Sequence, residues 1–413
     1  MALRPTPEAS TDARATTLQA SVAESLSEVS AEAWNRLAGD DNPFLRHEFL
    51  SALERHGCVG GDSGWYPRHL LVHADDELVG AAPLYIKVHS FGEFGSDWAW
   101  ADAYERAGTA YYPKLVSAIP FTPATGRRLL CAPGMDGEGL RGAMVEAALE
   151  IARGAGVSSL QWLFATEDES RLLETRGHAR RIGCQYHWHN HQYRDFQDYL
   201  DHLRSKRRKQ VRRERREANA SDVTIRILTG AEATEADWHA YHELYSATYD
   251  RKWGYPSLTP EFFCEVGGTM PDSAMLVVAH RGATCVAGAH LFRGREVLYG
   301  RNWGCREYLP SLHFEMCYYR GIEYCIDQGL AVFEAGAQGE HKIWRGFVPR
   351  ATHSASWFRD DRFREAIEDF LGRERAQITH HMEIMGEHLP FRDAPDEGHG
   401  SADGGEPSEP ALP

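Results

Sequence analysis

The sequence predicts a mixed α+β fold in which one αβ unit is used twice in tandem. Three observations carry this. LLVHADDELVGAAPLY at 70–85 and MLVVAHRGATCVAGAHLF at 275–292 share one design: an apolar strand, a tight polar turn, then a strand containing VGA or VAGA. Each copy is followed by further strand or loop, a helix, a glycine (Gly156, Gly329) and a short buried strand. The chain has 413 residues, enough for about two domains of ordinary size. The expected division is a disordered segment 1–27, a first domain 28–190, a second domain 191–390 and a disordered acidic tail 391–413.

Composition sets limits. The net charge of −15 argues against a protein coated for nucleic acid. Eight cysteines stand singly, without a C-x-x-C pair, so neither a disulfide framework nor a zinc knuckle is indicated. No run approaches the ~18 apolar residues of a membrane span. The N-terminal MALRPTPEASTDARATT lacks the apolar core of an export signal. The expected compartment is the cytoplasm, with no metal and no bound cofactor.

In chain order, FLRHEFLSALERHG at 44–57 spaces Phe49, Leu50 and Leu53 on one helical face and ends at Gly57. Strands 69–74 and 78–88 make the first hairpin. Residues 89–130 are aromatic, rich in Gly and Pro, and without clear periodicity; a loop of that length is usually functional. Its Trp98, Trp100, Tyr111, Tyr112 and Phe121 suit the walls of a cleft or the packing of the loop on the core. A helix at 140–153 and a strand at 157–164 follow. CQYHWHNHQY at 184–193 places His187, His189 and His191 at period two, on one strand face. Polar lining, half-exposed strand residues and a metal set all fit that row, although imidazoles of one strand converge poorly on one ion.

Residues 198–220 predict a helix with nine Lys or Arg between Arg204 and Arg216, basic nearly all round. It reads as a phosphate anchor or as a solvated face. The second unit begins with a helix at 234–249 capped by Thr234. Strands at 274–280, 285–292 and 295–303 come next. A helix at 310–327 turns Leu312, Met316, Tyr319, Ile322 and Ile326 inward. A last strand, THSASWF, precedes a C-terminal helix at 361–386. The tail from Asp393 holds six acidic residues and no Lys or Arg.

One stretch concentrates chemistry. FEAGAQGEHKIWRGF at 333–347 turns through Gly336 and Gly339 and presents Gln338, Glu340, His341 and Lys342 after a short strand. An acid, an imidazole and an amine on a loop are the groups proton transfer needs. A polar turn returning Trp344 and Phe347 to the core reads the same stretch without function.

The order of these pieces resembles the FemAB-like family of tandem acetyltransferase-fold proteins of peptidoglycan biosynthesis or recognition, over about residues 30–385. The carriers are NPF at 42–44, GWYP at 64–67, PLYIKVHSFGE at 83–93, YYPKL at 111–115, PFTPATGRR at 120–128, QYHWHN at 185–190, SKRRKQVRRERR at 205–216 and GAQGEHKIWRGF at 336–347. The resemblance implies a GNAT-type fold in each half, with transfer of an acyl or aminoacyl group to an amine. In the wider Fem group the donor is aminoacyl-tRNA and the acceptor a peptidoglycan precursor. Acyl-CoA enzymes of this fold carry an R/Q-x-x-G-x-G/A loop. The nearest match, RNWGCR at 301–306, has Arg306 where Gly or Ala belongs, and the first half offers only APGMDGEG at 132–139. No heptad arm of the kind tRNA-dependent Fem ligases often carry is present.

Aminolysis needs a deprotonated amine, a held carbonyl and stabilisation of the developing oxyanion. Glu340 or His341 is the expected proton acceptor, and Lys342 the group stabilising an oxyanion or phosphate. Arg207, Arg208 and Arg212 are the expected phosphate ligands, with tRNA as a partner of that helix. Lys87, His89, Glu93, Tyr112 and Lys114 are expected to line the acceptor side, facing Glu340 and Lys342 across a cleft between the halves. Gln185, His187, Asn190, Arg301 and Gln338 complete the substrate-lining set. Three functions stay open: a Fem-type transferase using aminoacyl-tRNA, an acyl-CoA-dependent transferase on a small amine, and a non-catalytic recognition module.

Overall fold

Both copies of the repeated hairpin form, and with the same internal design. The computed structural model describes residues 17–392 except Asp136, Ser221, Trp253, Gly254 and Gln338. Its strands in chain order are β1 (Leu18–Ala23), β2 (Trp65–Pro67), β3 (His69–Ala74), β4 (Glu77–Ala82), β5 (Leu84–Lys87), β6 (Lys114–Ser117), β7 (Leu130–Cys131) and β8 (Ser159–Ala165). The series continues with β9 (Ala179–His189), β10 (Thr224–Thr229), β11 (Ala274–Arg281), β12 (Thr284–Arg293), β13 (Val297–Cys305), β14 (Val332–Glu334) and β15 (Phe347–Phe358). Val72 of β3 faces Gly80 of β4, with a register shift between Val72 and His73. Val278 of β11 faces Gly288 of β12, with the shift between Ala279 and His280. Glycine sits at both places because a helix packs there. A Cβ on Gly80 would lie 3.0 Å from Met144 Sδ, and one on Gly288 would lie 2.8 Å from the Tyr241 ring.

The strands form a four-stranded sheet, β1-β3-β4-β7, and an eleven-stranded sheet, β10-β11-β12-β13-β14-β9-β15-β8-β6-β5-β2. Pro83 separates β4 from β5. It has no N–H to give to a ladder, and there the chain passes from the small sheet to the large one. Two pairs are parallel, β6 with β8 and β13 with β14.

The two long strands are exchanged between the halves. β8 precedes β9 in sequence yet pairs with β15. β14 precedes β15 yet pairs with β9. β9 and β15 pair with each other from Phe347↔Trp188 to Ser356↔Ala179. The ladder is therefore continuous across the expected boundary at 190. The core is continuous too: the Phe49 ring packs edge-on against Phe262 and Phe292, each at 5.5 Å.

Several expectations need correction. Residues 18–23, expected within a disordered segment, form edge strand β1 on β3. Five of its six side chains are exposed, so backbone pairing rather than apolar burial holds it, and no hydrophobic pattern announces it. Residues 89–130 hold regular structure: the helix Trp98–Arg106, then β6. Trp100 and Tyr104 are the buried i,i+4 pair of that helix and pack with Phe358, Ile367 and Leu371. The helix Glu167–Thr175, capped by Thr166, was not foreseen. The basic segment divides into helices Phe196–His202 and Ser205–Ala220. The break falls where Leu203 bridges Phe391 and the Arg204 N–H donates to the Pro390 carbonyl at 2.8 Å. The helix expected at 310–327 carries a π-turn over Glu315–Tyr319, and its five named inward residues are all buried. Expectations for 1–16, the tail from Asp393 and Gln338 lie outside the described residues.

Candidate functional site

A short strand between two longer ones opens a cleft. β14 stops at Glu334, while β13 and β9 continue beside it. Tyr299, Glu334 and His187 are direct cross-strand neighbours, so they share one face of the sheet. Past Glu334 no strand separates Arg301 on β13 from Gln185 on β9. The opening has a volume of about 200 Å³ including its mouth, and Gly300, Gly336, Pro123 and Ala124 complete its lining. Segments from both halves thus meet here: 120–128, 185–190, the end of β13 and the Gly-rich turn.

Arg301 is aimed by a bulge. Asn302 faces His290 and Gly300 faces Leu291, which leaves Arg301 as the extra residue. Its Nη2 donates to the Phe121 carbonyl, and its guanidinium lies 5.6 Å from the Phe44 ring centre. Burial lowers it to about 10, so it stays cationic at neutral pH.

Glu334 was not singled out from the sequence. Burial raises its carboxyl to about 8, against the opposing pull of Arg301. His187 stands beside it, with Nδ1 at 3.9 Å. Burial pushes His187 down to about 3, so the ring is neutral. Gln185 Nε2 donates to the Pro123 carbonyl at 2.8 Å, which fixes the amide so that its Oε1 faces His187 Nε2 at 3.2 Å. This network assigns the proton to Nε2 and leaves Nδ1 as an acceptor toward Glu334.

The three residues expected to be catalytic separate. Glu340 is exposed and faces His381 of the C-terminal helix at 3.9 Å. His341 Nε2 meets the Tyr318 hydroxyl at 2.9 Å among aromatic rings, and burial lowers it to about 4. Lys342 is 1% exposed and donates to the Gly336 carbonyl. Burial lowers its amine to about 7. Lys342 therefore braces the turn that forms one wall of the cleft. Asn190 is a brace as well: its Nδ2 donates to the Leu330 carbonyl at 3.1 Å, and its Oδ1 accepts from the Tyr193 N–H at 3.2 Å.

Lys87, Glu93, Tyr112 and Lys114 come together, but as a closed cluster in the first half. Lys114 Nζ donates to Glu93, to Asp97 and, at 3.0 Å, to Ser90. Lys87 Nζ donates to the Phe91 carbonyl at 3.0 Å and lies 4.0 Å from the Trp65 ring centre. Tyr112 bonds Ser90 at 2.7 Å. Tyr111 and Gln161, not foreseen, bind Asp97 from the other side. Burial raises Glu93 and lowers Lys87. Burial also pushes Asp97 up, but Lys114 and its hydrogen bonds more than offset this and hold it low. His89 is half-buried on the rim, against Gly64. Among the described residues no hydrogen bond, ion pair or ring contact joins this cluster to Glu340 or Lys342. The cluster and the cleft are connected through the backbone loop 119–124.

Of the three arginines expected to bind phosphate, Arg207 packs inward, Arg208 is half-buried and Arg212 is exposed. Arg207 is buried, 3.9 Å from the Trp344 ring centre. Glu214 is buried against Arg345, whose Nη2 reaches both carboxylate oxygens at 3.0 Å. Arg215 pairs with Glu315 and Glu323. Arg208 donates to the Leu203 carbonyl at 3.3 Å, and Arg212 to Gln197 at 3.0 Å. Lys206, Lys209, Arg213 and Arg216 form an exposed row at helical spacing, with Arg212 exposed beside it.

The FemAB-like family, described as peptidoglycan biosynthesis/recognition, matches residues 25–393. The chain belongs to this family. No curated protein matches the chain. Among solved structures, this FemAB-like protein is similar to the C-terminal domain of a protein described as a lysylphosphatidylglycerol synthetase from Agrobacterium fabrum. That match has 9% identity and a TM-score of 0.54, over 84% of this chain and 97% of that one. A crystal structure of FemX matches with 12% identity and a TM-score of 0.49, over 82% and 98%. A tandem GNAT protein from the clavulanic acid biosynthesis pathway matches with 11% identity and a TM-score of 0.44, over 83% and 98%. The FemAB-like protein has a mixed α+β, tandem GNAT-like fold. Among the described residues no group of His, Cys, Asp or Glu is arranged to hold a metal ion, and no helix is long and apolar enough to cross a membrane.

Proposed function

We propose that this FemAB-like protein is an N-acyltransferase that passes an acyl or aminoacyl group to the amine of a peptidoglycan precursor. The observation that carries the reading is Glu334: a carboxyl with a raised pKa, beside a neutral histidine and, among the described residues, without a cation at ion-pair distance, at the end of a strand in a cleft shared by both halves. An acid near 8 is a stronger base than an ordinary carboxylate and is poised close to working pH. In the proposed step the Glu334 carboxylate takes a proton from the acceptor ammonium. The freed nitrogen attacks the donor carbonyl carbon, the C–N bond forms, and the ester C–O bond breaks. The leaving hydroxyl takes the second nitrogen proton. Lys342 acts through the Gly336 turn rather than on the substrate.

An aminoacyl ester is favoured over acyl-CoA as donor. RNWGCR, the nearest sequence match to a pyrophosphate loop, lies almost wholly within strand β13, and the connection after it carries Glu307 and Pro310. The exposed row Lys206, Lys209, Arg213 and Arg216 suits the backbone of an aminoacyl-tRNA. Turnover assays with aminoacyl-tRNA and with acyl-CoA, on the wild type and on Glu334→Gln, test the reading. Transfer from either donor that falls about 100-fold or more in the variant supports Glu334 as the base. Transfer unchanged by the substitution overturns it. Ligand binding without transfer from any donor favours the recognition module.

A further inference from the structure

Arg301 and Glu334 line the same cleft and do not close on each other. Among the described residues neither takes part in an ion pair with the other, although guanidinium and carboxylate make one of the strongest pairs a protein can form. Each is held by something else. The bulge on β13, the Phe121 carbonyl and the Phe44 ring hold Arg301 back. The ladder register fixes Glu334 between Tyr299 and His187. The rest of the lining is Gly300, Gly336, Pro123 and Ala124, with Tyr299 and Gln185 as its other polar side chains. An arginine and an acid held apart in this way keep hydrogen-bonding capacity that a ligand can satisfy, and an ammonium placed beside Glu334 favours its ionised form.

We infer that the acceptor carries a carboxylate beside its nucleophilic amine, and that the cleft takes this amino-acid end with the carboxylate on Arg301 and the amine on Glu334. This rests on the reading of the cleft as the acceptor site. The cleft is far too small to enclose a whole ligand. It therefore takes the reacting terminus of a larger acceptor. The Phe121 carbonyl uses one Arg301 donor, and the remaining edge of the planar guanidinium can fork a carboxylate. On the other side, Glu334 accepts from the ammonium before the nitrogen attacks, in the balanced step given above.

The wild-type protein tests this without any substitution. Calorimetric titration with glycine and β-alanine is compared with ethylamine, propionate and O-phosphoethanolamine. One amino acid should bind about tenfold or more tightly than both ethylamine and propionate, the size of one charge-assisted contact. Arg301→Gln should reduce the amino acid to the level of ethylamine, and Glu334→Gln to the level of propionate, with unfolding midpoints confirming that both variants fold. Equal binding of ethylamine and the amino acids overturns the inference. Tighter binding of O-phosphoethanolamine than of either amino acid overturns the carboxylate assignment. Failure here is separable from failure of the transferase reading. Acyl transfer that is equally fast to ethylamine and to amino acids keeps the enzyme and removes the zwitterionic acceptor. Selective binding without any transfer does the reverse.

Discussion

His187 Nδ1 lies 3.9 Å from Glu334 Oε1, and the Gln185 amide turns the lone pair of that nitrogen toward the carboxyl. A neutral imidazole offers the carboxylate no opposing charge, and burial raises the Glu334 carboxyl against the pull of Arg301. Gln185, His187 and Glu334 thus form one device, anchored on the Pro123 carbonyl.

The pH dependence of transfer should report this. If the carboxylate is the base, kcat/KM rises with pH through about 8, the value to which burial lifts Glu334. Glu334→Gln should lose about 100-fold in rate and also lose that limb. Stability runs the other way. The folded state holds a proton that the unfolded state, with its ordinary value of 4.5, has released. This contribution is complete below about 4.5 and is lost as pH rises through about 8. Thermal unfolding of the variant across that window should show a shallower decline than the wild type.

Lys342 gives the opposite slope. Burial lowers its amine from 10.5 to about 7, so between those values the unfolded state binds more protons and stability rises with pH. Lys342→Met should flatten that rise, as read from denaturant midpoints at pH 7 and pH 10. It should also lower turnover through loss of the Gly336 brace, without moving the kinetic limb near 8. A variant whose limb moves would place Lys342 in the proton transfer itself.

Much of the scaffold was legible in the sequence, because periodic apolar residues fix strands and helices locally. The Val–Gly pairing of both hairpins and the inward row Leu312, Met316, Tyr319, Ile322 and Ile326 are of this kind. The site was legible only in part. Gln185 and Arg301, singled out from the sequence, lie in the cleft lining, and His187 lies beside Glu334. Glu334 stayed hidden inside what reads as a strand, since its significance comes from β14 ending there while its neighbours continue. Lys342 and Glu340 are close in sequence, yet a 3-10 turn sends one inward and the other to solvent. The helix 205–220 is basic on nearly every side, so composition could not choose the face that packs. The face that packs carries Arg207, Val211, Glu214 and Ala218, with the buried acid Glu214 meeting Arg345.

That choice divides the arginines into two groups. Glu214→Gln leaves Arg345 buried with its main partner neutralised, and breaking a buried pair costs about 3–5 kcal/mol. Arg207→Gln should also destabilise, through loss of its stacking on Trp344. Replacing Lys206, Lys209, Arg213 and Arg216 together by Gln should leave the unfolding midpoint nearly unchanged and weaken binding of an RNA probe. The salt dependence of that binding should become less steep. If binding and salt slope stay as in the wild type, the exposed row is a solvated face.

The exchange of β9 and β15 predicts that the halves are not independent. In a chain ending at residue 190, β8 loses its partner β15, and β9 loses both β14 and β15. Ladder edges left open in the middle of a sheet are templates for association. Such a fragment should therefore aggregate or pair with itself on size-exclusion chromatography, without a cooperative thermal transition. The complementary chain beginning at 191 should fail likewise, because β14 and β15 are then without β9. Co-expression of the two pieces should restore a soluble one-to-one complex, since strand pairing needs proximity rather than a covalent link at 190. A monomeric, cooperatively unfolding fragment 17–190 would mean that β9 can fold back onto β8. The exchange would then be a property of the joined chain alone, and the cleft at Glu334, which needs β9 beside β14, would form only when both halves are present.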